Sequence, residues 1–106
     1  MSLTSVTDET FDAEVYQAEF PVLVEFGTEW CAPCKQIEPS LNALATEFEG
    51  KVKVLKADVD NTPDVAMSLG GRGIPTLFVF RDGQVTANRT GVASKRVLQD
   101  WIEASI

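Results

Sequence analysis

The chain has 106 residues, two cysteines, no histidine and a net charge of −7; its 44% apolar and 24% charged fractions suit one folded domain over residues 1–106. Without histidine there is no Ser–His or Cys–His catalytic pair and no His-ligated metal, and two cysteines cannot fill a four-thiolate zinc or iron–sulfur site within one chain. The acidic balance opposes nucleic-acid binding, which needs Lys and Arg to displace counterions, and no run reaches the ~18 apolar residues of a membrane span.

A short extended stretch is expected near Leu3–Val6. Thr7 then caps a helix on which Phe11 and Val15 stand at i, i+4 spacing, with Asp8, Glu9, Asp12, Glu14 and Glu19 on a solvated face. The run Val22-Leu23-Val24-Glu25-Phe26 reads as a strand that is apolar on both faces except for Glu25, which suits the middle of a covered sheet. From Cys34 to Phe48, residues Ile37, Leu41, Leu44, Ala45 and Phe48 share one helical face; Pro39 removes a backbone donor and should kink that helix, and Gly50 ends it.

Val52–Val59 is a second strand with Leu55, Ala57 and Val59 on one face. Thr62-Pro63 opens a short helix as cap and first residue, and Gly70 closes it. Thr76–Phe80 is a third strand, turned by Arg81-Asp82-Gly83 into a hairpin partner, Gln84–Thr90. Ser94 caps a last helix with Val97, Leu98, Trp101 and Ile102 inward. The order β-α-β-α-β-α-β-β-α implies an α/β sandwich, a mixed sheet with helices on both faces.

Residues 1–20 carry five acids and no base, which fits neither a secretory signal nor a transit peptide. A reducing cytosol is the expected location, where a cysteine pair is more often catalytic or metal-binding than structural.

Cys31-Ala32-Pro33-Cys34 places both cysteines at i and i+3, directly after a buried strand and at a helix start. Unpaired backbone N–H groups there are partly positive and stabilise a thiolate, while Pro33, lacking an N–H, fits the first turn without loss. The spacing also lets the second sulfur reach the first. A stability staple is one alternative, but so short a loop contributes at most roughly 2 kcal/mol. Half of a metal site shared between two protomers is another. Redox chemistry is the favoured reading, because the motif stands at a strand-to-helix junction. Glu25 is the least expected residue: an acid on a doubly covered strand loses solvation, its pKa rises, and it becomes suited to proton transfer near neutrality. An edge strand with Glu25 in water is the bland alternative.

Glu29-Trp30-Cys31-Ala32-Pro33-Cys34-Lys35 resembles the active-site segment of the thioredoxin family, and Pro39, Lys56, Asp60, Gly73-Ile74-Pro75-Thr76, Gly83 and Gly91 stand at the family's intervals. The resemblance covers essentially the whole chain. It implies a thioredoxin fold, a central mixed sheet of five strands flanked by four helices, and reduction of protein disulfides without a bound cofactor or metal. Cys31 would attack a substrate disulfide and Cys34 would resolve the mixed disulfide, leaving a redox-active Cys31–Cys34 bond. Glu25 takes the place of an Asp that helps deprotonate the resolving cysteine. Lys56 matches a buried lysine near that acid, against the alternative of a solvated lysine near the sheet end. Pro75 matches a cis proline packed against the disulfide. Trp30, Gly73, Ile74, Pro75, Gly91 and Val92 match a shallow apolar rim that holds substrate peptides, for which Ile74 and Val92 could otherwise be ordinary core.

Implied partners are disulfide-containing proteins and a reductase drawing on NADPH and flavin or on ferredoxin; a monomer is expected, without nucleic acid or membrane. Gly70-Gly71-Arg72-Gly73 lacks a preceding strand and a following helix, so it reads as flexible backbone beside the site rather than a phosphate loop. The chain departs from the family at Ala32 for Gly, Glu25 for Asp, Gly27 where Trp is common, and Gly71 for a β-branched residue. Ala32 stiffens the turn, and Gly27 removes a large aromatic, opening the site or loosening it. An oxidase or isomerase is disfavoured, since Ala32-Pro33 brings no charge between the cysteines. A non-catalytic structural subunit, or a dimer holding a metal or iron–sulfur cluster through paired CxxC motifs, is the alternative class.

Overall fold

Two runs that are apolar on both faces apart from Glu25 and the terminal Arg81, Val22–Gly27 (β2) and Thr76–Arg81 (β4), lie inside a five-stranded sheet, where every residue of the two but Arg81 is buried. The structure, a computed structural model, describes residues 3–70 and 73–106; Gly71, one of the departures above, lies outside them. The remaining strands are β1 (Thr4–Val6), β3 (Lys53–Asp58) and β5 (Gln84–Thr90), and the sheet order is β1-β3-β2-β4-β5. β3 runs parallel to both β1 and β2, whereas β4 runs antiparallel to β2 and β5. The sheet is therefore mixed, as the element order implied.

The helices are α1 (Asp8–Phe11), continued by a π-helical segment (Asp12–Tyr16), then α2 (Ala32–Glu47), α3 (Pro63–Ser68) and α4 (Lys95–Ser105). Side chains alternate across β2 and divide the core in two. Val22, Val24 and Phe26 pack with Phe11, Val15, Leu55, Phe78 and Phe80 on the α1 side. Leu23 faces the other way, into a cluster with Ile37, Leu41 and Leu44 of α2 and Leu98 and Ile102 of α4. No helix among the described residues is long and apolar enough to cross a membrane.

Caps and turns follow the sequence with two exceptions. Ser94 Oγ accepts from the Val97 N–H at 3.2 Å, and Asp82 and Gly83 both take positive φ (52° and 79°), as a tight hairpin turn requires. Thr7 works through its backbone, its N–H donating to the Thr10 hydroxyl at 2.9 Å. Thr62 was the expected cap of α3, but its hydroxyl donates instead to the Asp58 carbonyl at 3.0 Å. The first N–H groups of α3, those of Asp64 and Val65, donate to the Asp8 carboxylate at 3.2 and 3.1 Å, so an acid at the start of α1 does the capping. Val97, expected inward, is exposed: it lies off the line joining Leu98 to Ile102. Helix α2 starts earlier than the apolar pattern indicates, with Cys31 itself as its N-cap.

Candidate active site

The site grows from the C-terminal end of β2. The strand ends at Gly27; Thr28, Glu29 and Trp30 make a turn in which the Cys31 N–H donates to the Thr28 carbonyl at 3.4 Å, and α2 begins at once. Pro33 occupies the first turn, where its missing N–H costs no hydrogen bond. Cys31 Sγ accepts from the Cys34 N–H at 3.2 Å, so this sulfur sits where the helix leaves its N–H groups unpaired. Partly positive N–H groups at a helix start stabilise a thiolate. Cys31 and Cys34 are joined as a disulfide with Cα atoms 5.3 Å apart, and Cys31 is the less buried of the two (6% against 2% exposed). Trp30, next to Cys31, is 74% exposed.

Glu25 stands on the central strand, paired with Lys56 of β3 on one side and Leu77 of β4 on the other. It is buried, so the edge-strand reading does not hold. Burial raises its pKa to about 7; the Glu38 carboxylate adds to the rise and the Lys56 ammonium opposes it. Glu25 and Gly27 lie two residues apart on the strand face turned toward α2, and both line a cavity of about 380 Å3 together with Thr28, Cys34, Glu38 and Lys56. A Cβ placed on Gly27 would lie 2.5 Å from Glu25 Oε2 and 2.7 Å from Cys34 Sγ, so the carboxyl oxygen and the sulfur surround one point.

Lys56 is half-buried, and its Nζ lies 3.3 Å from Oε1 of Glu38, its ionic partner. Glu38 is a site residue that the apolar pattern does not single out. Its i+4 spacing from Cys34, which puts both on one side of α2, is the signal that finds it. Thr28 is also part of the site: its hydroxyl is buried without a hydrogen-bond partner among the described residues, and no sequence feature marks it.

The remaining residues lie at the ends of β4 and β5. The Ile74–Pro75 peptide is cis and Pro75 is buried. The Gly91 N–H donates to the Pro75 carbonyl at 2.9 Å, directly beyond the Thr76–Thr90 pair, which draws Gly73–Pro75 and Gly91–Val92 together. Gly73 and Val92 are exposed and Ile74 is half-buried, so neither Ile74 nor Val92 is ordinary core.

Comparison with known proteins bears on this arrangement. The family model described as Thioredoxin matches residues 2–104. The chain is 43% identical over 104 residues to thioredoxin of Pseudomonas aeruginosa, covering 98% of this chain and 96% of that protein. It is 42% identical over 102 residues to thioredoxin of Rickettsia felis (96% and 97% covered). It is 45% identical over 105 residues to thioredoxin C-2 of Corynebacterium nephridii (99% and 97% covered).

Proposed function

From a chain that belongs to the thioredoxin family and is a thiol–disulfide oxidoreductase that reduces disulfides, we propose that Cys31 is the attacking nucleophile and Cys34 its resolver. The observation that carries this is Cys31 Sγ at the α2 N-terminus, accepting the Cys34 N–H and less buried than its partner. In the reduced protein the Cys31 thiolate attacks one substrate sulfur; the other leaves as a thiolate, and a mixed disulfide forms. Cys34 then passes its proton to the Glu25 carboxylate, and its sulfur attacks Cys31 Sγ. The second substrate sulfur leaves, so the substrate gains the two electrons that the dithiol loses. A carboxyl with a pKa of about 7 is matched to taking and releasing that proton near neutrality.

Ala32-Pro33 completes a Cys-Ala-Pro-Cys active site by starting α2 between the two sulfurs. Lys56, paired with Glu38, holds a positive charge beside Glu25 and keeps its carboxyl from rising further. Trp30, Ile74 and Val92 offer apolar surface to an extended substrate segment, Gly73 and Gly91 leave room for its backbone, and Pro75 shapes the floor of that rim. Partners are disulfide-containing proteins and a reductase. We assign the reductase to the flavoprotein type fed by NADPH or the ferredoxin-dependent type, and the protein to a single-domain monomer carrying electrons in the cytoplasm, where a dithiol is kept reduced.

Insulin reduction by dithiothreitol, followed as turbidity, tests the assignment. The chain should accelerate precipitation, Cys31→Ser should fall to the rate of dithiothreitol alone, and Cys34→Ser should hold substrates as stable mixed disulfides. Capture by Cys31→Ser rather than by Cys34→Ser would reverse the two roles.

A further inference from the structure

Gly27 closes a strand, a poor position for glycine, which loses backbone entropy there and contributes no side chain to packing. Its backbone is not in the left-handed region, so conformation does not demand glycine. Space does. A Cβ at this position would come to 2.5 Å from Glu25 Oε2, 2.7 Å from Cys34 Sγ and 3.1 Å from Cys34 Cβ. Glycine in a strand commonly marks a close approach by another group, and here, at the strand's last residue, the nearest such group is a carboxyl.

We propose that Gly27 is a positioning residue: its missing side chain is the space through which the Glu25 carboxyl reaches Cys34. The inference rests on the reading of Glu25 as proton acceptor for Cys34. Of the groups crowding the point, Cys34 Sγ is held by its bond to Cys31, whereas Oε2 is the end of a rotatable side chain. A methyl group on residue 27 crowds both groups, and in the reduced chain, where Cys34 is no longer bonded to Cys31, it wedges the carboxyl and the sulfur apart. An Asp at 25, shorter by one methylene, withdraws its oxygens toward the strand and removes the tighter of the two clashes that a Cβ would meet. Residues 25 and 27 thus form a steric pair, Glu with Gly or Asp with something larger.

The test uses the reduced full chain and an aromatic nitrobenzoate disulfide whose released thiolate is coloured, followed by stopped flow across pH. Cys31 attacks the probe and releases one aryl thiolate, which is the first phase. Cys34 gives its proton to Glu25, attacks Cys31 Sγ and releases the second aryl thiolate, which is the second phase. The dithiol loses two electrons to the probe, and the proton passes from Glu25 to water. Gly27→Ala should slow the second phase at least about tenfold near neutrality and flatten its pH profile as Glu25→Gln does, while the first phase keeps its rate. Glu25→Asp combined with Gly27→Ala should be faster in the second phase than Gly27→Ala alone, a non-additive rescue that general damage to the fold does not produce.

An unchanged second phase in Gly27→Ala, or a double variant no faster than Gly27→Ala, overturns the proposal. If Gly27→Ala does not fold, recovery of folding and of the second phase in the double variant supports the pairing, and failure of both overturns it. A second phase that Glu25→Gln leaves unchanged overturns the proton role of Glu25 itself; one that Glu25→Gln slows and Gly27→Ala does not removes the pairing alone.

Discussion

The two faces of β2 are built from alternate residues of one six-residue strand, yet they do different things. On the α1 side Val22, Val24 and Phe26 enter an aromatic cluster, where the Phe80 ring lies 5.7 Å from both Phe11 and Tyr16. On the α2 side Leu23 is core, Glu25 is a buried acid, and Gly27 is an opening beside Cys34. One face goes on excluding water to the end of the strand; the other passes in two steps from core to chemistry. A strand fixes its backbone through both neighbours, so packing on one face can hold a desolvated acid in place on the other. The costs of the reactive face are carried by the inert one.

Three substitutions sharpen that contrast. The largest effect is expected from Phe80→Ala on the inert face: loss of about 4 kcal/mol in denaturant unfolding, with normal disulfide reduction per folded molecule. A loss of specific activity at full folding would show that the faces are not separable. Glu25→Gln should act in the opposite sense, gaining stability while slowing resolution. Below its ordinary value of 4.5 the carboxyl is protonated whether folded or not. As pH rises, the unfolded carboxyl ionises first and the folded one only near 7, so stability falls across that window and then levels off. Glu25→Gln in the oxidised chain should therefore be more stable by roughly 3 kcal/mol at about pH 8 and equal to the parent at about pH 4. A difference that does not change with pH would contradict burial as the source of the shift. The smallest effect belongs to a cap remote from both faces: Ser94→Ala should cost about 1 kcal/mol in chemical denaturation and leave the reaction unaltered.

Local features were legible in the sequence because their causes are local. The hairpin at Asp82-Gly83, the Ser94 cap, the apolar face of α2 and the cysteine pair at a helix start each depend on residues within one or two turns of each other. Glu25 was legible for a related reason: an acid inside Val-Leu-Val-Glu-Phe conflicts with its surroundings wherever the strand lies. What escaped depends on which elements meet. Asp8 caps a helix more than fifty residues away, and Lys56 finds Glu38 only because β3 lies beside β2 beneath α2. Gly27 read as a missing aromatic that opens or loosens the site. The sequence shows that a side chain is absent but not which neighbour fills the space, and here Glu25 fills it.

The claim at the centre of this account is that the reactive face holds a carboxyl whose charge is balanced near neutrality. An NMR pH titration of the Glu25 carboxyl carbon in the oxidised chain measures it directly. The account requires a midpoint of about 7; a midpoint at the ordinary 4.5 would mean a solvated acid and no proton acceptor for Cys34.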